Sequence, residues 1–426
     1  MDTEEKKKRR GVIGQVAIYS VSWGFACFDR LIIAMLLPFL MPAFGLNLYQ
    51  GGLIVTMMAI GYLVFVILGG AISDRVGRRK ITLPAIIIFS VLSFVTGFMR
   101  SIAALFVVRT VVGASEGAFS STATAHIGEI VPPAKRGAYM GPYNSMFGLF
   151  GSFLAPLYAM NVAAAWGWEM AFYLTIIPGA VLVILALIFI KESPRFVKGT
   201  PEYEEAQVAI AENRAKAKVP VLEVLKVRNI GLAIAITMTY FVWCWSWLSF
   251  GTTFFVQVGH FSDAVSGTIM SMFGLGGFVG CVLIPRLSDN WGRRTTIPIM
   301  SALGFVFTLL TVLGGFGAVG QSVCLFLASF FAWGTMPCYI SALPMESVKP
   351  EWTATAIGLI LGFGELVGIA IGPPILGLIG DAYNLSVSMV VGSFGLIAVI
   401  ILSLFLKETA PNALKRQEAK RLKAQA

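Results

Sequence analysis

Stretches of about 20 apolar residues, each long enough to cross the hydrocarbon layer as a helix, recur in this chain from near Gly11 to Leu406 with only short interruptions. In lipid every backbone N–H and C=O must find an internal partner, so such a chain is restricted to helical spans. Twelve stretches qualify, at residues 12–39, 49–73, 80–99, 102–129, 137–162 and 168–190, then 229–258, 263–286, 294–314, 318–341, 352–377 and 384–406. The expected fold class is an all-α membrane protein. Hydrophobic residues make up 57% of the 426 and charged residues 13%, an apolar excess that no water-soluble core of this size encloses.

The net charge of +10 does not point to nucleic acid, because the 32 basic residues are placed by topology. They gather in the N-terminal tail, at Arg75–Lys80, at Lys135 and Arg136, between residues 191 and 228, at Arg286–Arg294, at Lys349 and from Lys407 onward. Arg100 alone is left for an outer loop, with Arg30 and Arg109 inside spans. The excess of cytoplasmic cations predicts both termini on the cytoplasmic side of an inner (plasma) membrane. Lys6–Arg10 leads into a full-length span without a small-residue cleavage site, so the first span is expected to be retained. Cys27, Cys244, Cys281, Cys324 and Cys338 fall in apolar spans without metal-ligand spacing and read as packing residues, with no disulfide and no metal.

One long polar interval divides six spans from six. The expected organisation is an N-terminal bundle at 1–190, a cytoplasmic loop at 191–228 with a surface helix over 201–218, and a C-terminal bundle with its tail at 229–426. The halves echo each other: Ser73-Asp74-Arg75-Val76-Gly77-Arg78-Arg79 returns as Ser288-Asp289-Asn290-Trp291-Gly292-Arg293-Arg294, each after the second span of its half. An internal repeat of this kind predicts two pseudo-symmetric six-helix bundles.

Gly70, Asp74, Arg75, Gly77, Arg78 and Arg79 form Gly-x-x-x-Asp-Arg-x-Gly-Arg-Arg, which resembles the loop signature of the major facilitator superfamily. Gly77 allows a tight turn, the arginines hold the loop in the cytoplasm, and Asp74 can accept charged hydrogen bonds from a helix end or an arginine. Such a bond can lock one conformation and break in another, so Gly70, Asp74, Arg75, Gly77 and Arg78, with Asp289 and Arg293, are candidate gate residues. A purely topological anchor is the other reading. Glu129 with Arg136-Gly137, Glu192-Ser193-Pro194-Arg195 and Lys407-Glu408-Thr409 extend the resemblance over both halves.

A charge inside the bilayer is costly and points by default to function with a nearby partner. Asp29 and Arg30 lie on the first span, Arg109 and Glu116 on the fourth, and Glu365 on the eleventh. Asp29 and Arg30 are consecutive, so on a helix they point roughly 100° apart and need different neighbours. Arg109, Gly113, Glu116 and Gly117 share one helical stripe, its ionisable ends about 10 Å apart along the axis. If the first and fourth spans abut, two acids lie near two arginines, a setting in which solute and proton compete for one charge. A static buried ion network is the alternative.

Phe28-Asp29-Arg30, Tyr62, Arg109 and Glu116 together resemble the anion:cation symporters, a group that includes galactonate, hexuronate and phthalate permeases, sialin and the vesicular glutamate transporters. The resemblance implies that Arg30 receives the substrate carboxylate, that Tyr62 donates to it, and that Asp29 and Glu116 carry coupling protons. Guanidinium binds carboxylate as a fork, and burial favours the protonated form of an acid, so the chemistry is compatible.

Two positions depart from those relatives, which often have glutamine where this chain has Phe147 and asparagine where it has Glu365. An apolar ring at 147 makes a polyhydroxy acid a poorer cargo than a less polar carboxylate. Glu365 admits three readings: a proton site, a contact to a cationic or amine-bearing solute, or a structural partner of a cavity donor. Trp243, Trp245 and Trp247 with Tyr240, and Trp333 with Tyr339, can line a site or simply pack. Gly372-Pro373-Pro374 reads as a hinge or a static kink. His126 and His260 read as polar surface residues.

The resemblance thus implies a proton-coupled symporter for a small organic anion, a monocarboxylate with sugar or aromatic acids also in range, acting as a monomer in the lipid bilayer by alternating access. Phe147, Trp243 and Glu365 complete the expected substrate contacts. The alternative is proton-coupled efflux of cationic or amphipathic drugs, which Glu365 and the aromatics favour. The missing Gly-Pro-x-x-Gly-Gly run on the fifth span opposes it. No nucleophile–base motif, nucleotide loop or metal cluster is legible, so neither an enzyme nor a cofactor is expected.

Overall fold

A computed structural model describes residues 3–132, 135–197, 199–201, 203–204, 221–349 and 352–416. Among them, twelve helices are long and apolar enough to cross a membrane. They are α1 (Gly11–Met35), α2 (Leu48–Val76), α3 (Arg78–Thr96), α4 (Ile102–Ile130), α5 (Ala138–Trp166) and α6 (Trp168–Phe189), followed by α7 (Arg228–Gln257), α8 (Asp263–Trp291), α9 (Arg293–Leu313), α10 (Ala318–Ser347), α11 (Thr355–Ala382) and α12 (Leu385–Ser403). The described residues form helices and turns without strands, as the sequence predicts. The first span is shorter than expected: it ends at Met35, and a separate helix, Leu37–Phe44, follows with Pro38 in its first turn. Most of the expected surface helix over 201–218 falls outside the described residues.

The chain forms two compact units. Unit 1 comprises residues 1–33 and 57–218, and unit 2 comprises 34–56 and 219–426. In each, glycines let helix backbones touch, the usual way to gain packing contacts where lipid offers no hydrophobic drive between helices. In unit 1 a Cβ at Gly113 would strike the Met58 carbonyl oxygen and one at Gly117 that of Tyr62, which seats α4 against α2. In unit 2 Gly276 and Gly280 approach the carbonyls of Phe326 and Phe330 in the same way, seating α8 against α10.

Three spans contain a widened, π-helical segment: Phe147–Leu154 in α5, Cys338–Ala342 in α10 and Leu366–Ile371 in α11. Each is followed two residues later by a proline, Pro156, Pro344 or Pro373. Proline has no N–H to donate and its ring crowds the carbonyl four residues back, so the turn before it opens. In α11 the orphaned carbonyl is identifiable. The helical donor for Ala370 would be residue 374, a proline, and the hydroxyl of Thr56 donates to the Ala370 carbonyl at 2.8 Å instead. Gly372-Pro373-Pro374 therefore ends a widened turn whose lost hydrogen bond is replaced by a side chain from α2, also within unit 2.

Candidate functional site

Asp29 and Arg30 point to different places on α4, as consecutive residues on a helix must. Arg109 Nη1 lies 3.4 and 3.2 Å from the two Asp29 carboxylate oxygens, and its Nη2 donates to the Asp29 backbone carbonyl at 2.9 Å. Both side chains are fully buried. The Ser93 hydroxyl of α3 also donates to Asp29, and Thr175 donates to Ser93 at 3.1 Å. Ser93, Thr175 and the Asp29 backbone carbonyl thus add protein partners to this pair.

The second pair is built differently. Arg30 Nε donates to Glu116 Oε2 at 3.0 Å, with the arginine side chain 9% exposed and the carboxylate fully buried. Glu116 Oε1 has no hydrogen-bond partner among the described residues. The guanidinium carbon of Arg30 sits 3.9 Å from the Tyr62 ring centroid and 5.7 Å from that of Trp23, a cation–π seat that orients the fork. Tyr62 donates its hydroxyl to Ser120 at 3.2 Å. Glu116, Ser120 and Thr124 recur every four residues and so share one face of α4. Burial falls along that face from a fully buried Glu116 to an exposed Thr124.

Unit 1 thus gathers Asp29, Arg30, Tyr62, Arg109 and Glu116. Phe147 is half-buried, packs against the unit 1 core and begins the widened segment of α5. Glu365 is half-buried in unit 2, immediately before the widened segment of α11. Trp243, expected at the substrate, is fully enclosed in unit 2, its indole N–H donating to Thr308 at 3.0 Å. Its ring also packs against Tyr240 and Phe273. His126 departs from its expected surface place: it is fully buried, and its Nδ1 lies 2.6 Å from the Tyr19 hydroxyl. Ser93, Thr175 and Trp23 were not singled out from sequence. A four-residue polar spacing on α4 and the hydroxyl residues Ser90 and Ser93 among the apolar residues of α3 were the available signals.

The repeated loop has one geometry in both halves. Gly77 and Gly292 adopt φ of 111° and 98°, a region that side chains disfavour. Arg78 pairs with Asp74 and Glu129, each at 2.6 Å, and Arg293 pairs with Asp289 at 2.6 Å and Glu346 at 2.9 Å. Glu192 accepts the backbone N–H of Arg78 at 2.7 Å, and Glu408 that of Arg293 at 2.8 Å. A carboxylate thus serves the start of α3 and of α9, where N–H groups lack intrahelical acceptors. Arg75, by contrast, is exposed.

The Major Facilitator Superfamily model matches residues 20–369 of this chain. The hexuronate transporter of Bacillus subtilis is 25% identical over 369 residues, which span 83% of this chain and 84% of that protein. The probable 4-methylmuconolactone transporter of Cupriavidus pinatubonensis is 27% identical over 366 residues, spanning 83% and 82%. A solved bacterial homologue of the human lysosomal transporter Spinster, inward-facing and occupied, shares the fold with a TM-score of 0.74 at 16% identity, covering 91% of this chain and 95% of that one.

Proposed function

The chain belongs to the major facilitator superfamily of membrane transporters, and from that premise we propose a proton-coupled symporter that takes up a small organic anion by alternating access. One observation carries the reading: the fully buried Glu116 offers one oxygen to Arg30 and leaves the other without a hydrogen-bond partner among the described residues. An incoming carboxylate that takes the Arg30 fork displaces Glu116. The displaced carboxylate would then be an uncompensated charge in a low-dielectric interior, a state costing several kcal/mol. Protonation of Glu116 removes that cost, so cargo and proton enter together. On release, the deprotonated Glu116 returns to Arg30 and resets the site.

In this proposal Arg30 and Tyr62 hold the carboxylate, Phe147 shapes the cavity, and Asp29 with Arg109 fixes α1 against α4. Glu365 supplies a second proton site or a contact to an amine on the cargo. The repeated loops around Asp74 and Arg78, and around Asp289 and Arg293, act as gates. Two six-span halves joined by the 191–228 loop, cytoplasmic termini, an inner-membrane location and a monomer complete it. A relative named for hexuronate, a carboxylate sugar, supports an organic anion as cargo.

The test is uptake into proteoliposomes of the full chain under an inward proton gradient, against a panel of carboxylates. Accumulation that a protonophore abolishes is the expected result. Accumulation of carboxylate untouched by the protonophore removes the coupling, and failure to move any carboxylate removes the cargo class.

A further inference from the structure

Unit 2 carries a cleft of about 730 Å³ bounded by the start of α9, the chain just after α12 and a short helix at 411–416. Its lining divides by chemistry: Arg294, Lys407 and Glu408 supply charge, while Ile299, Leu404 and Leu414 supply apolar wall. Glu408 is already committed. Its carboxylate accepts the backbone N–H groups of Arg293 and Arg294 at 2.8 and 3.2 Å, and those of Thr409 and Ala410 at 3.0 and 2.9 Å. Arg294 donates Nε to the Leu404 carbonyl at 3.0 Å, and among the described residues neither Arg294 nor Lys407 is in an ion pair. Both cations are exposed. The wall at 411–416 is tied down, since Asn412 donates to the Asn290 side chain and Arg416 to the Asn290 carbonyl, each at 3.3 Å, with Ala413 buried between them in sequence.

The apolar wall continues beyond the cleft. Ile299, Leu303, Val306 and Leu310 recur every three or four residues along α9 and are each 37–50% exposed, a stripe that meets acyl chains in a bilayer. Trp291, two residues before α9, is half exposed, as suits an indole at the membrane–water boundary. We propose that this cleft binds one anionic phospholipid, its headgroup phosphate held by Arg294 and Lys407 and an acyl chain lying along the α9 stripe. Guanidinium and ammonium both donate to phosphate oxygens, and a basic pocket at the cytoplasmic ends of spans suits an anionic headgroup. A zwitterionic lipid brings its own ammonium to the same two cations and is disfavoured. The site shares no residue with the Arg30–Glu116 pair, so it stands or falls apart from the transport reading.

The test is a thermal-shift titration of the purified full chain in detergent with dioleoylphosphatidylglycerol, dioleoylphosphatidylcholine and glycerol phosphate. Saturable stabilisation by the phosphatidylglycerol is expected, with the other two binding at least about tenfold more weakly, one lacking the net charge and the other the chains. Arg294→Gln and Lys407→Gln should each weaken phosphatidylglycerol about fivefold. Lys415→Gln, which removes an exposed cation outside the cleft lining, should change it by less than about twofold. The Lys407 side chain makes no hydrogen bond among the described residues, so that variant is expected to keep its ligand-free melting temperature. Equal losses in Lys407→Gln and Lys415→Gln would reveal diffuse surface attraction and overturn the proposal, as would phosphatidylcholine binding as tightly as phosphatidylglycerol. Glycerol phosphate binding as tightly as the lipid would make this a site for free phosphate esters and overturn the lipid assignment.

Discussion

Arg30 gives its Nε to Glu116 Oε2 at 3.0 Å, while its neighbour Asp29 is bound to Arg109, so two adjacent residues of α1 end in two ion pairs of different character. One pair is closed by Ser93 and Thr175. The other has an oxygen with no hydrogen-bond partner among the described residues and lies beside Tyr62 and Trp23. The proposed function puts exchangeable chemistry at the second pair and rigidity at the first.

Arg30→Ala should lower carboxylate uptake by roughly 30-fold or more, since truncating one partner of a buried charge pair costs about 2–5 kcal/mol. Arg30→Lys keeps the charge but not the planar fork over Tyr62, so it should recover only part of the loss. Initial uptake rates in proteoliposomes measure both, and a wild-type rate in the alanine variant would remove Arg30 from the site.

Glu116→Gln should abolish gradient-driven accumulation while counterflow exchange continues, because the amide is neutral at every pH. The sign of the pH effect follows. On the proposed coupling the cargo-accepting form carries a proton, so uptake in the unsubstituted protein should fall as external pH rises. The glutamine variant should show a flat profile. A pH dependence that persists in the variant would place the coupling proton elsewhere.

Asp29→Leu and Arg109→Leu should each destabilise by about 3–5 kcal/mol, since either leaves a fully buried charge uncompensated. The double variant should be more stable than either single one, because both charges leave together. Melting temperatures in detergent give the coupling. Additive losses would show that the two residues do not stabilise each other.

Gly292→Ala should cost about 1–3 kcal/mol, as φ of 98° is strained for a residue with a Cβ, and that Cβ would also press on the Glu408 carboxylate. Glu408→Ala should cost about 1 kcal/mol through loss of the cap at the start of α9. Gly77→Ala and Glu192→Ala should behave alike, given the matching geometry. Unequal effects in the two halves, read as melting temperatures, would show that the shared geometry does not carry shared weight.

Much of the fold was legible because lipid leaves few solutions: twelve apolar runs imply twelve helices. The repeated loop was legible for a related reason, since Gly77 and Gly292 mark turns that only glycine enters cheaply. The widened turns before Pro156, Pro344 and Pro373 had a local signal, but proline alone does not distinguish a kink from a π-helical segment. His126 was misplaced at the surface because span membership says nothing about which face of a helix meets a neighbour.

The residues and their spacing alone determined that this chain crosses a membrane repeatedly, in two related halves, with ionisable side chains retained where charge is expensive. Helix periodicity is local and covalent, so it can be read from one strand of text. Tertiary structure decided that Asp29 goes to Arg109 and Arg30 to Glu116, that Ser93 closes one pair, and that Tyr62 and Trp23 seat the guanidinium of the other. Those outcomes depend on how α1, α2, α3 and α4 rotate against one another, and rotation is set by glycine contacts and side-chain packing between residues far apart in the chain.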